Sequence, residues 1–311
     1  MNIVFFGSPQ TAIPPLKAVL KAGYSVPLVI TQPDKPSGRG RNLKPCPVKK
    51  FAEQNRIPVL QPEKIRKDKE CLSVLKKINP DVNVVVAYGQ IIPSEIIYLP
   101  KYDSVNIHFS CLPKYRGASP VQWALLNGED RTGITLFRLD EKMDQGDILA
   151  KKTVRIRPEE NSMELEERMA ESAASFLVET LSKIATIQPR PQDHSKATYA
   201  PLIKKDDGRI KWGKDAESIC NQVRAFFPWP SSFTFFNEKR LKIIKVKNLD
   251  QKPEEPVSPG EIMNIDEKGI TVGCGGNTLL LIEKLQPENK KAMSAHSFSL
   301  GARIKPGDTF E

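Results

Sequence analysis

Along the first two-thirds of the chain, apolar and polar positions alternate between a strand-like and a helix-like period. "NIVFF" at 2–6 is a short buried-strand run, Thr11 to Lys21 carries a helical pattern entered through Pro14 and Pro15, and "VPLVIT" at 26–31 is a second strand. A polar loop rich in Gly and Pro follows. Then come a helix from Val48 to Arg56, the strand "IPVL", a helical stretch to Ile78, and "DVNVVVAYG", closed by Gly89. An unbroken apolar run of this kind reads as a central parallel strand covered on both faces. Strand, helix and strand in repetition predict an α/β fold with a doubly wound, mainly parallel sheet.

Two further strand-like runs, "GITLFRL" and "DILAKKTVRI", flank the acidic turn "DEKMDQGD", and an amphipathic helix covers Ser162 to Ile184. The texture then changes. "QPRPQDHSKATYAPLIKKDDG" is polar and proline-bearing, as an inter-domain linker is. Beyond it a helix from Asp215 to Phe226 leads into the short runs "SSFTFF", "RLKIIKVK", "GEIMNI", "GITVGC" and "NTLLLIEKL". Short strands separated by turn signals predict a small barrel or sandwich. The expected division is an α/β domain over 1–189, a linker over 190–206 and a second domain over 207–311. No internal repeat is present.

Composition narrows the picture in three ways. The 311 residues, 39% hydrophobic and 27% charged, suffice for one large or two ordinary soluble domains. Cys46, Cys71, Cys111, Cys220 and Cys274 are scattered singly, so neither a zinc site nor a disulfide framework is indicated, and a reducing cytoplasm fits. No apolar run is long enough to span a membrane, and "MNIVFFGSP" is too short for a signal segment. A net charge of +10 suits solubility, and equally a protein that meets nucleic acid.

The glycines carry little chemistry. "FFGSP" supplies one glycine where a dinucleotide site needs G-x-G-x-x-G, so a nucleotide cofactor is disfavoured, and "GCGG" at 273–276 reads as a hairpin turn. Of the three histidines, His194 and His296 sit in polar runs and read as solvated side chains. His108 lies in the apolar run "VNIHF", where a satisfied core histidine is the ordinary expectation. Its neighbours change that. Asn106 is two residues earlier, hence on the same strand face, and the breakers Pro113 and Gly117 place both near a strand's carboxyl end, where open α/β sheets keep their ligands. With Asp144 and Asp147 in the acidic turn, the set offers an amide donor for an oxyanion, an imidazole acid/base and a carboxylate to orient it. That is the requirement of acyl-type transfer to an amine acceptor.

"NIHFSCLPKYRGASPVQWALLNGE", followed by "TGITLF" and "MDQGDIL", resembles the catalytic core of the 10-formyltetrahydrofolate-dependent formyltransferases, in particular those acting on methionyl-tRNA. "TQPDKPSGRG", "PVK", "VVVAYGQIIP", "YAPLIKKDDGRIKW", "RAFFPWP" and "KKAMSA" occur in that family's order, so the resemblance covers nearly the whole chain. It implies a Rossmann-like formyltransferase domain followed by an OB-like β-barrel domain that binds tRNA. The formyl donor, as co-substrate, is then 10-formyltetrahydrofolate, and the acceptor is the α-amino group of initiator methionyl-tRNA. No metal and no membrane are implied, and a cytoplasmic monomer is expected.

Carried over position by position, the resemblance makes Asn106, His108 and Asp144 the catalytic trio, with Asp147 in support. Formyl folate would lie along Ser110, Cys111, Leu112 and Pro113, with the segment from Tyr88 to Pro93, including Gly89 and Ile91, as the opposite wall. The family's usual "SLLP" is "SCLP" here, and Phe109 replaces the common proline, departures that leave the trio intact and bear only on the details of folate contact. The basic loop with Arg39, Arg41 and Lys44 corresponds to one that reaches the tRNA acceptor end, and Lys242 and Lys245 in "KRLKIIKVK" lie on the proposed RNA-facing strand. Two other readings stand beside this one: formyl transfer to a small amine such as an amino sugar or ribonucleotide amine, and RNA binding without catalysis.

Overall fold

A computed structural model describes residues 1–37, 42–251, 253 and 255–311. The chain forms two units. The first comprises Met1–Pro120, Arg131–Arg155 and Glu166–Pro201; the second comprises Val121–Asp130, Ile156–Leu165 and Leu202–Glu311.

The elements run β1 (Asn2–Gly7), α1 (Ile13–Lys21), β2 (Ser25–Ile30), β3 (Lys35–Ser37), β4 (Asn42–Lys44), α2 (Pro47–Gln54), β5 (Val59–Leu60), α3 (Lys69–Ile78), β6 (Val82–Val86), α4 (Ser94–Ile97), β7 (Ser104–His108), α5 (Pro120–Leu126), β8 (Arg131–Arg138), β9 (Ile148–Arg155) and α6 (Ser162–Ser182). Next come α7 (Ala216–Ala225), β10 (Ser232–Phe236), β11 (Lys239–Leu249), β12 (Ile262–Asp266), β13 (Gly269–Cys274), β14 (Thr278–Pro287), β15 (Met293–Ser294) and α8 (Ala295–Ala302).

In the first unit the sheet order is β5-β2-β1-β6-β7-β8-β9. β5, β2, β1, β6 and β7 are parallel, and β8 and β9 continue the sheet antiparallel. β1 and β6 are buried along almost their whole length because they are the centre of a covered sheet, which is why their sequences do not alternate. Pro14 and Pro15 occupy the first turn of α1, where a missing N–H costs nothing. Gly7 permits the close approach of β1 and β6: a Cβ there would lie 2.9 Å from the Val86 carbonyl oxygen and from Ala12 Cβ. The sheet grows outward from β1 on one side through β2 and β5 and then on the other through β6 and β7, so the carboxyl ends of the parallel strands β1, β6 and β7 border the crevice where such sheets bind ligands.

The second unit carries an antiparallel sheet in the order β10-β11-β14-β13-β12, with β15 on β14. Residues 307–311, which carry no strand pattern, join its two ends. Gly307 N–H donates to Ile262, Ile262 to Asp308 and Phe310 to Gly260, while Phe235 and Glu311 exchange a reciprocal backbone pair. These backbone bonds bridge the β10 and β12 ends of the sheet, in keeping with a small barrel. Phe310 plugs it, stacked on Trp212 at 5.9 Å and edge-on to Phe236 at 5.7 Å. "GCGG" forms the turn between β13 and β14, as expected.

Candidate active site

β7 ends at His108 and pairs on one side with β6 and on the other with β8, in register Asn106↔Phe137 and His108↔Thr135. The two-residue period of the strand puts Asn106 and His108 on one face. Asn106 is half-buried and His108 nearly buried, its ring edge-on to Phe137. Among the described residues nothing hydrogen-bonds the Asn106 amide, which leaves it free to donate.

His108 Nε2 lies 2.8 Å from the Tyr115 carbonyl oxygen. A carbonyl only accepts, so Nε2 carries a proton and Nδ1 is the nitrogen left for exchange. Nδ1 faces Asp144 Oδ2 at 3.7 Å, a charge contact rather than a hydrogen bond. The same Oδ2 accepts the Gly117 backbone N–H at 2.7 Å. Asp144 (φ 53°) and Tyr115 (φ 60°) both adopt the left-handed region, which costs a non-glycine residue about 1–3 kcal/mol and persists only where the surroundings impose it.

Those surroundings are in the stretch read above as linker. Arg190 pairs with Ile148, and Thr198 and Ala200 hold the backbone of Arg116. Thr198 Oγ1 accepts the Tyr115 N–H at 2.9 Å. Gly117 (φ 123°) has no room for a Cβ against the Ala200 carbonyl. Gln192, 6% exposed, donates through Nε2 to the carbonyls of Asp144 at 3.0 Å and Gly146 at 2.8 Å. His194, expected to be merely solvated, is exposed but lies with Nδ1 3.0 Å from Arg116 Nη2. None of this was legible in sequence.

The segment after β7 is built by Thr135 and Lys151. Thr135 Oγ1 donates to the Ser110 carbonyl at 2.7 Å and accepts the Leu112 N–H at 3.1 Å; Lys151 Nζ donates to the Leu112 carbonyl at 2.8 Å. The Leu112–Pro113 bond is cis. Ser110 and Leu112 are fully buried, so their side chains support the loop. Ser110 Oγ donates to the Lys114 carbonyl at 2.6 Å. Cys111, half-buried, has its Sγ packed where a Cβ on Gly133 would stand, so the smaller residue and the glycine fit each other.

On the β6 side, Tyr88 is buried against Phe6 and its hydroxyl has no partner among the described residues; burial pushes its ionisation well above the ordinary range. Gly89 (φ 79°) is exposed, and a Cβ there would strike Gln32, whose Nε2 donates to the Tyr88 carbonyl at 2.8 Å. Ile91 is 58% exposed. This rim of backbone and one apolar side chain suits a flat heterocycle.

Arg39 and Arg41 lie outside the described residues, while Lys44 is exposed on the β3–β4 hairpin. On β11, register shifts between Ile243 and Val246 mark a bulge. The bulge resolves the imperfect alternation: Leu241 and Ile243 point inward before it, and Lys245 and Lys247 turn outward after it, joining Lys242 on the exposed face. Lys245 Nζ is paired with Glu283 at 2.8 Å, which holds its ammonium above the ordinary lysine range. Among the described residues no group of three or more His, Cys, Asp or Glu is placed to hold a metal, and no helix is long and apolar enough to cross a membrane.

Residues 1–181 match the formyl transferase family and 202–303 the formyl transferase C-terminal domain. The chain is 45% identical over 312 residues to methionyl-tRNA formyltransferase of Thermodesulfovibrio yellowstonii, covering 99% of each chain. It is 43% identical over 309 residues to that of Citrifermentans bemidjiense, covering 99% of this chain and 95% of the relative. Among solved structures it resembles WlaRD, a sugar 3N-formyl transferase crystallised in the presence of dTDP and 5-N-formyl-THF, with a TM-score of 0.66 and 22% identity over 94% of this chain and 99% of that one. A strand-end imidazole facing a carboxylate, on a chain with this full-length likeness, identifies the protein as a member of the formyl transferase family, among the methionyl-tRNA formyltransferases.

Proposed function

We propose that the chain transfers the formyl group of 10-formyltetrahydrofolate to the α-amino group of methionine esterified to initiator tRNA, with Asn106, His108 and Asp144 acting on the reacting atoms. The folate co-substrate supplies an activated formyl carbon on nitrogen. The loop after β6 at Tyr88, Gly89 and Ile91 and the segment Ser110 to Pro113 would hold it, largely through backbone atoms.

The Asn106 amide is the donor for the oxygen that gains charge as the amine attacks. His108 exchanges the proton at Nδ1, taking one from the attacking amine and returning one to the folate nitrogen as its bond to the formyl carbon breaks, because Nε2 is committed to the Tyr115 carbonyl. This differs from a scheme in which the protonated ring donates to the oxyanion from either nitrogen, and the difference lies in that one hydrogen bond. Asp144 balances the charge of the imidazolium from 3.7 Å and is itself anchored by the Gly117 N–H. Lys44, Lys242 and Lys245, with Arg39 and Arg41, are the tRNA-facing cations in this reading; Lys245 must exchange its Glu283 partner for a phosphate.

The observation that carries the proposal is the His108 Nδ1 to Asp144 Oδ2 approach at the end of β7. The test is formyl transfer to charged initiator tRNA in parallel with amino-sugar and ribonucleotide amines. Transfer to tRNA alone supports the reading. Faster transfer to a small amine would replace it, and no transfer to any acceptor would leave a binding protein.

A further inference from the structure

Arg116 and Gln192 form a buried bridge that has no role in the reading above. Arg116 is 2% exposed, and its Nε and Nη2 donate to Gln192 Oε1 at 3.2 and 2.7 Å. From the other end of the same amide, Nε2 donates to the carbonyls of Asp144 and Gly146. The neighbouring Gly117 N–H holds the Asp144 carboxylate, and the Tyr115 carbonyl holds His108. One buried arginine and one buried glutamine therefore connect the loop that orients the imidazole to the turn that delivers its carboxylate.

The residue types follow from the hydrogen-bonding requirement. The group between the guanidinium and the two carbonyls must accept from one side and donate to the other, which a primary amide does and a carboxylate cannot. Asp144 sits at φ 53°, a conformation that the turn does not favour unaided. The Nε2 bond to its own carbonyl is placed to hold it there.

We propose that Gln192, oriented by Arg116, is a positioning residue for formyl transfer: it fixes the backbone of Asp144 so that the carboxylate meets His108 Nδ1. The proposal rests on the role given to Asp144 above. Gln192→Glu keeps the acceptor for Arg116 but sets carboxylate oxygen against two carbonyls, so the turn is released while the bridge to Arg116 survives. Arg116→Lys keeps the charge and a donor, and should give an intermediate effect.

The experiment is single-turnover formyl transfer by the full chain for wild type, Gln192→Glu, Arg116→Lys, Asp144→Asn and the double variant Asp144→Asn with Gln192→Glu, each checked for an unchanged melting transition. Gln192→Glu should slow the chemical step about 10- to 100-fold, as misplacement of a reacting group does, with folate-donor affinity within about threefold. The double variant should be no slower than Asp144→Asn alone, because a residue acting through Asp144 has nothing left to position. Multiplying penalties, or a Gln192→Glu rate near wild type beside a slow Asp144→Asn, would overturn the proposal. A fast Asp144→Asn would instead overturn the role of Asp144. If Gln192→Glu melts early, Arg116→Lys carries the same comparison in the Asp144→Asn background.

Discussion

His108 ends the interior strand β7 and Asp144 lies in the turn between β8 and β9, yet their Nδ1 and Oδ2 atoms lie 3.7 Å apart, while the Gly117 N–H holds that same oxygen at 2.7 Å. Asp144→Asn should retain the Gly117 contact but remove the charge facing the ring. The chemical step should fall steeply with folate affinity nearly unchanged. Asn106→Ala should cost ~100- to 1,000-fold in turnover, the usual loss for one oxyanion donor. Single-turnover rates within threefold of wild type would remove the residue concerned from the trio.

Lys242 and Lys245 share an exposed face of β11, and of the two, among the described residues, only Lys245 is tied to a carboxylate. Lys242→Ala should weaken tRNA binding and make its log–log salt dependence shallower by about one unit, as loss of one phosphate contact does. Lys245→Ala should change the slope less, and Glu283→Gln should tighten binding by freeing Lys245. Filter-binding titrations across a salt series measure all three. Equal slopes for all variants and wild type would place the RNA elsewhere.

Phe310 closes the second unit from a segment without strand pattern, stacked on Trp212. Phe310→Ala should destabilise that unit by about 3–5 kcal/mol, the range for deleting a fully buried aromatic ring. Chemical denaturation followed by tryptophan fluorescence tests this. A shift below about 1 kcal/mol would mean that the barrel is held shut without the plug.

Three cysteines make stability depend on alkaline pH. Burial pushes the thiols of Cys71 and Cys220 up to about 11 and that of Cys274 up to about 12, against 9.0 for an ordinary thiol. Between those values the unfolded chain has lost protons that the folded chain retains, so stability is intact below pH 9 and falls as pH rises toward 12. The gap in denaturation midpoint between wild type and a variant with all three changed to Ala should therefore shrink or reverse from pH 8 to pH 11. A gap that is constant over this range would contradict the assignment.

What the sequence determined by itself is local and periodic. The apolar runs 2–6 and 82–86 had to be central strands because nothing in them alternates, and the two-residue period put Asn106 and His108 on one face. Asp215 capped α7 by accepting from Ser218 N–H, and "GCGG" turned the β13–β14 hairpin. Tertiary structure decided what lies far apart along the chain. Arg116 and Gln192 are 76 residues apart, and no pattern in the polar stretch 188–208 foretells a buried amide reaching Asp144. The bulge that turns Lys245 outward depends on pairing with β14, and the closure of the barrel by residues 307–311 depends on two strand ends that only the folded sheet brings near one another. Periodicity reports which face a residue occupies. It is silent on which distant backbone will offer the matching donor or acceptor, and that match is what builds the site.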